Sequence, residues 1–379
     1  MYVRGVLPHE LSPEPALPPP EPQPVAPERI DALDGLRGLM ACAVALYHLG
    51  ILSRAFTPGG VMSSALAVLG LHSVEAFFMV SGFCLFHRHG AMPRGAAAVY
   101  AFQRQRFLRI APVFYLTLLL HVACQTPVAT SVSWTRLIEN LTFSFGLHHP
   151  NRALVTGGWS IGLEYIFYFA FPWLALLWRS TALLCATTLA AIGFAWWHSA
   201  NAVVGPDAAR FNAYVLLQNH AFAFLAGGLL AKLRAHIRLR LPLWAACAAL
   251  VVALSAWMAS EPRVVDHFAV VLGRERVCYA AASCAIVGLF GLAHSTRART
   301  QRWLRQLGDL SYPIYLLHPL AWPLALALLP AGVTPLWALC TALASTVLLA
   351  FLVHRYYERP IQRGLRVTRS APVSRAAVS

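Results

Sequence analysis

Residues 29–50 read RIDALDGLRGLMACAVALYHLG, a segment that begins polar and becomes apolar at Leu36. Arg37 and His48 are 11 residues apart in this segment. At about 100° per residue that spacing returns to within roughly 20° of the same helix face, and it covers about 16 Å of helix. The imidazole would then lie near the middle of a bilayer core about 30 Å thick. Ionisable groups at such depth are costly and commonly functional, although a histidine hydrogen-bonded inside a bundle is the alternative interpretation.

Composition assigns the chain to the membrane proteins. Its 379 residues are 58% hydrophobic and only 12% charged, whereas about a quarter of the residues of a soluble domain are charged. The fold class that we predict is therefore all-α, a polytopic membrane helix bundle of about ten transmembrane helices. The apolar runs that predict these helices are 36–53, 68–87, 107–125, 159–178, 180–198, 211–231, 241–259, 277–294, 307–329 and 334–354.

Three regions are expected along the chain. Residues 1–28 are rich in proline and lack apolar periodicity, which predicts a disordered cytoplasmic tail. Residues 29–366 form the membrane domain, and residues 367–379 form a disordered basic tail. If both termini are cytoplasmic, most of the 30 basic residues lie on the inner side of the plasma (inner) membrane. Topology and contacts with anionic membrane lipids then explain the net charge of +15, and no nucleic-acid partner is predicted.

Polar residues enter the second and third predicted spans. Glu75 is a carboxylate early in the second span and needs a partner there. Arg104, Arg106 and Arg109 stand where the chain re-enters the membrane, and such a group suits phosphate on a lipid headgroup or on a soluble ligand. A plain positive-inside anchor explains one or two of these arginines equally well.

The fourth span carries a second carboxylate, Glu164. Trp159 at its start is a natural interface anchor on the outer side. Counted from Trp159, Glu164 lies about 7 Å deeper, close to the depth of His48, with Ser160 and Tyr168 on its own helix face. A glutamate that faces an imidazole can fix its tautomer, so we expect Glu164 to orient His48.

Six segments occur together in a familiar order. They are LDGLRG…YH (33–48), VEAFFMVSGF (74–83), RFLRIAPVFY (106–115), WSIGLEYIFY (159–168), LSYPIYLLHP (310–319) and YYERPIQR (356–363). In these segments the chain resembles the acyltransferase-3 family of integral-membrane O-acyltransferases. Two departures are Glu75, where the family more often has aspartate, and Ile161-Gly162 ahead of Glu164. A stand-alone form without an SGNH hydrolase-like domain is expected.

The resemblance implies an enzyme that moves an acetyl or other short acyl group from acyl-CoA, with acetyl-CoA the expected donor. The acceptor would be a hydroxyl of a sugar, a surface polysaccharide, a glycolipid or another lipid-linked carbohydrate. No metal and no permanently bound cofactor are expected. A membrane transporter, an enzyme that acylates a soluble macrolide-like compound in the cytoplasm, and a structural membrane protein are the alternatives.

The residues suggest a mechanism for such a transferase. His48 is the predicted general base, because a hydroxyl needs help to lose its proton as it attacks a thioester. His318 is an alternative base, although the proline that follows it favours a structural role. The predicted substrate-binding residues are Arg37, Glu75, Arg106, Arg109, Ser160, Tyr168 and His318.

Overall fold

The computed structural model describes residues 29–92, 95–124, 132–237, 239, 249–250, 266, 268–293 and 298–367. Nearly all of these residues are helical, and none of them belongs to a named strand, so the predicted helical bundle is confirmed. Leu239 and Ala293 form an isolated bridge. The α-helices are α1 (Asp31–Ser53), α2 (Val61–His89), α3 (Ala96–Cys124), α4 (Trp134–Thr142), α5 (Phe145–His148), α6 (Trp159–Leu174), α7 (Thr181–Ala202), α8 (Asp207–Tyr214), α9 (Leu217–His236), α10 (Gly273–Leu292), α11 (Ala298–Leu328), α12 (Pro335–Val353) and α13 (Arg359–Val367).

Within the described part of the chain, eight helical stretches are long and apolar enough to cross a membrane, and they coincide with eight of the predicted spans. The predicted span 307–329 lies within α11, a 31-residue helix whose interior holds Pro313, Pro319 and Pro323. The predicted span 241–259 falls almost entirely outside the described residues, as do both predicted tails. Together with their sequence, these helices make the chain a multi-pass membrane protein.

Helices α1 and α11 run parallel, side by side. At their starts, Arg305 Nε donates to Asp31 at 2.5 Å. A Cβ on Gly38 would lie 2.6 Å from the carbonyl oxygen of Leu307, so the glycine allows the two backbones to approach closely. Nearer their far ends, His48 contacts His318. The first predicted span and the ninth thus form one packed pair.

Helices α2 and α9 also pack in parallel through glycine. A Cβ on Gly82 would lie 2.0 Å from the carbonyl oxygen of Phe224, and a Cβ on Gly227 would lie 1.9 Å from that of Met79. Helix α6 runs the same way beside them, because its Phe167 contacts Phe78 of α2 and its Phe171, further along, contacts Phe86. The hydrophobic effect does not bring helices together in lipid. Small residues at these contacts allow close van der Waals packing, which does.

The two ends of the bundle differ in charge. We call the end at which α1 and α11 begin the basic end. Its described arginines and lysine are Arg29, Arg37, Arg88, Arg104, Arg106, Arg109, Arg179, Lys232, Arg234, Arg302, Arg305, Arg355, Arg359 and Arg363. The described basic residues at the opposite end are Arg54, Arg136, Arg152, Arg210, Arg274 and Arg276. The positive-inside rule describes an excess of Lys and Arg on one side of a membrane, and the two ends of the bundle show such a difference.

Candidate active site

A cavity of about 420 Å³ opens at the basic end between α1, α2, α3, α6 and α11. The segment that follows α12 closes one side of it. The cavity is rich in charged groups and has more cations than anions around its mouth. Its charged lining residues are Arg29, Asp34, Arg37, Arg88, Arg106, Arg109, Glu164, Asp309 and Glu358.

Arg106 is held in the wall of the cavity by His89 and Tyr168. Its Nη2 donates to His89 Nε2 at 3.0 Å, and its guanidinium lies 5.7 Å from the centre of the Tyr168 ring. Its Nε is buried and has no hydrogen-bond partner among the described residues. Arg109 also lines the cavity, whereas Arg104 is exposed and does not line it. Helical geometry explains the difference, because Arg104 is about 200° around the helix from Arg106.

At the mouth, Arg29 donates to Asp34 at 2.5 Å and to Asp309 at 2.9 Å. Partial burial opposes the charged form of this guanidinium, but the two carboxylates outweigh it and raise the pKa of Arg29. This arginine therefore joins the start of α1 to α11 and stays charged. Its role is to hold the rim of the cavity together, because its charge is already paired with two carboxylates.

Glu164 lies deeper in the cavity. One of its oxygens accepts from Ser81 Oγ at 2.7 Å and from the hydroxyl of Tyr168. Arg37 is near enough for its charge to attract that of Glu164. The predicted contact between Glu164 and Tyr168 is confirmed, and the predicted contact between Glu164 and His48 is wrong.

The position of Trp159 explains this error. Its side chain is only 9% exposed and packs against Phe78, Tyr214 and His220 inside the bundle. It is therefore not an interface anchor, and a depth for Glu164 counted from it does not apply. Glu164 faces α2 and the cavity instead.

A second, smaller pocket of about 30 Å³ leads inward from the cavity. Both spaces are lined by Arg37, Glu164, Ser311 and Tyr312. The small pocket reaches Tyr315, whose hydroxyl lies 2.7 Å from Ser160 Oγ. Its apolar lining residues are Val74, Phe77, Phe78 and Ile161. Ser160 thus contacts α11 and not Glu164, although both line this pocket.

Two histidines meet beyond Tyr315. His48 Nδ1 lies 2.8 Å from His318 Nε2, and the two rings lie edge to edge, within 5° of parallel and with centroids 5.0 Å apart. His318 is fully buried, and its Nδ1 lies 2.7 Å from the carbonyl oxygen of Tyr315. His48 is half-buried. The structure therefore joins the predicted base to the residue that was its alternative.

Glu75 is held elsewhere. It is fully buried, 3.2 Å from His72 Nδ1 and 3.6 Å from Arg276 Nη2. Arg276 in turn donates to the carbonyl oxygen of Asn219, so the group ties α2, α9 and α10 together near the end opposite the basic end. Glu75 lines neither of the two spaces described above.

The lining residues Ser81, Ser311 and Tyr315 were missed in the sequence analysis. Ser81 has the sequence context of a packing residue, yet it donates to Glu164. Ser311, Tyr315 and His318 were not grouped, although their spacing of i, i+4 and i+7 places all three on one helix face. That spacing was the available signal for a polar stripe on α11.

A family model of the acyltransferase-3 type, described as an acyltransferase domain, matches residues 30–355. The acyltransferase MdmB of Streptomyces mycarofaciens is 31% identical over 157 residues, which are 38% of this chain and 38% of that relative. The chain thus matches well under two thirds of that relative's length. No solved structure matches the chain.

Proposed function

Because this chain belongs to the acyltransferase-3 family and is a membrane acyltransferase, we propose that it moves an acetyl or other short acyl group from acyl-CoA to a carbohydrate hydroxyl. His48 acts as the general base. The observation that carries the proposal is a continuous line of lining residues. It runs from the arginines of the basic end, past Glu164, to Tyr315. The ring of Tyr315 lies 6.1 Å from that of His318, and the histidine pair lies beyond it, outside the lining of both spaces.

The mouth of the cavity suits the phosphates of CoA. Arg106 and Arg109 line it on one side of α3, and Arg37 lies further in. The buried Nε of Arg106 has a hydrogen to donate and no acceptor within the described part of the chain, and a phosphate oxygen would supply one. We therefore assign phosphate binding to Arg37, Arg106 and Arg109.

The inner pocket suits the reacting end of the donor. Its volume of only about 30 Å³ favours a small acyl group such as acetyl over a longer chain. Phe77 and Phe78 limit that room on the side of α2. Ser160 and Tyr168 are polar groups along the same path and are assigned to substrate binding.

The proposed reaction is direct transfer. His48 takes the proton of the acceptor hydroxyl while the oxygen of that hydroxyl attacks the carbonyl carbon of the thioester. A carbon–oxygen bond forms and the carbon–sulfur bond breaks. The departing CoA thiolate then takes the proton back from His48, so that the products are an ester and free CoA. A general base of this kind contributes about 10²- to 10⁴-fold to the rate.

We further propose that the two substrates reach His48 from opposite faces of the membrane. The basic end would face the cytoplasm, where acyl-CoA is made, and the acceptor would be an envelope sugar or a lipid-linked carbohydrate outside. The charge difference between the two ends of the bundle supports this orientation. Acylation of a soluble macrolide-like acceptor inside the cell is the alternative.

The test compares His48→Ala with His198→Ala. His198 is also a half-buried histidine, but it lies on α7 and contacts only the carbonyl oxygen of Ala213 among the described hydrogen bonds. Surface glycans and lipids from cells that carry each variant are examined by mass spectrometry for the added acyl mass. We expect His48→Ala to abolish acylation and His198→Ala to retain it. Wild-type product from well-expressed His48→Ala protein would refute His48 as the base.

A further inference from the structure

The hydrogen bonds of His318 determine which of its nitrogens carries a proton. The carbonyl oxygen of Tyr315 can only accept, so His318 Nδ1, at 2.7 Å, must donate its N–H. In a neutral imidazole the other nitrogen then has a lone pair and accepts. His318 Nε2 is therefore an acceptor toward His48.

Pro319 explains why this carbonyl oxygen is available. In an α-helix the amide of residue 319 would donate to the carbonyl oxygen of residue 315, but proline has no N–H. The oxygen of Tyr315, a buried residue, therefore lacks its usual helical partner inside the bundle, where an unpaired carbonyl group is costly. The side chain of His318, one residue before the proline, supplies the missing donor.

The same reasoning extends to His48. Its Nδ1 lies 2.8 Å from the accepting nitrogen of His318, so that Nδ1 must carry a hydrogen. The lone pair of neutral His48 is then on Nε2, the nitrogen that does not face His318. A histidine without this partner populates both tautomers, and only one of them has a base at Nε2.

We propose that His318 is the positioning residue of this enzyme, because it holds His48 in the Nδ1–H tautomer and thereby presents Nε2 as the base. This inference rests on the proposed role of His48. When Nε2 takes the proton of the acceptor hydroxyl, Nδ1–H of the resulting imidazolium still donates to His318 Nε2. The two rings lie edge to edge and within 5° of parallel, so the hydrogen bond lies in both ring planes and fixes the direction in which Nε2 of His48 points.

Two amide variants separate this role from a structural one. In His318→Asn the shorter side-chain amide reaches the position of Nδ1 and can donate to Tyr315, but no acceptor reaches His48. In His318→Gln the longer side chain brings an amide oxygen to the position of Nε2, where it accepts from His48. If His318 only supports the helix, His318→Asn retains more activity than His318→Gln. If it positions His48, His318→Gln does.

Purified full-length protein in lipid nanodiscs is assayed with acetyl-CoA and the acceptor identified by the mass spectrometry above. We expect His318→Asn to lower kcat by about 10²-fold or more, with KM for acetyl-CoA within about twofold of wild type. We expect His318→Gln to stay within about tenfold of wild type. His121→Leu, which removes another buried histidine, controls for the loss of an interior imidazole.

A spectroscopic measurement reports the tautomer itself. In protein labelled with ¹⁵N-histidine, the signals of His48 are identified by their loss in a His48→Gln sample. We expect an Nδ1–H pattern in wild type and a mixture of tautomers in His318→Asn. Equal kcat in the two His318 variants, or an unchanged tautomer in His318→Asn, would overturn the proposed role of His318. If His48→Ala is inactive at the same time, the proposed function still stands. An active His48→Ala would remove both.

Discussion

Replacement of Gly227 by alanine tests the packing of α9 on α2 quantitatively. The added Cβ would lie 1.9 Å from the carbonyl oxygen of Met79 and 2.7 Å from the backbone nitrogen of Phe83. Real Cβ atoms essentially never come closer than 3.0 Å to another heavy atom, and ordinary contact begins at 3.4 Å. The helices must therefore move apart by at least about 1.1 Å, the difference between 3.0 and 1.9 Å. Both obstructing atoms are backbone, so no side chain can rotate away.

A gap of this size is expensive because it affects the whole contact between the two helices. A radial separation of about 0.5–1 Å forfeits roughly a quarter to a half of the dispersion energy of each atom pair. Forced insertion of one methyl group into a packed core costs about 1–3 kcal/mol, and here the upper part of that range applies. At about 2.1 cal/mol/K of unfolding entropy per residue, a loss of about 3 kcal/mol in a chain of 379 residues corresponds to a fall of roughly 4 °C in the unfolding midpoint.

Gly193→Ala is the matched control. A Cβ at this helical position in α7 would have no heavy atom within 4 Å. Alanine there is expected to be neutral or to stabilise the helix by up to about 1 kcal/mol. Thermal unfolding of both variants is followed in the same detergent at the same protein concentration. A midpoint for Gly227→Ala within about 2 °C of wild type would refute the packing argument.

Two further predictions concern the substrates. Arg106→Glu should raise KM for acyl-CoA at least about tenfold, with little change in KM for the acceptor, because it removes a phosphate contact made equally in the ground and transition states; an equal rise in both constants would contradict that assignment. Right-side-out vesicles loaded with acyl-CoA should acylate a membrane-impermeant acceptor added outside, and activity restricted to opened membranes would favour acylation on the inner side.

Much of the fold was predictable because membrane spans are a local property of the sequence. Runs of about 20 apolar residues identify helices whatever their neighbours, and eight predicted spans coincide with apolar helices of the structure. Relations within one helix were equally accessible. The contact of Glu164 with Tyr168 follows from an i, i+4 spacing alone.

Contacts between helices could not be predicted from the sequence of each helix alone. His48 and His318 are separated by 270 positions, and their meeting depends on the register of α1 against α11. Glycines such as Gly38, which lies against the backbone of Leu307, set that register through close packing. A glycine in an apolar run indicates close approach without naming the partner helix. The partner of Glu164 was mispredicted because depth along one helix says nothing about which neighbour it faces.

The pairing of α1 with α11 also has a consequence for how the protein is made. At about 5–20 residues per second, synthesis of the 270 residues between the two histidines takes roughly 14–54 s. During that interval α1 is already in the membrane with Asp31 and His48 but without Arg305 and His318. Helix α1 is thus among the last helices of the bundle to obtain its polar partners, and a ribosome that stalls before α11 leaves Asp31 and His48 in the membrane without Arg305 and His318.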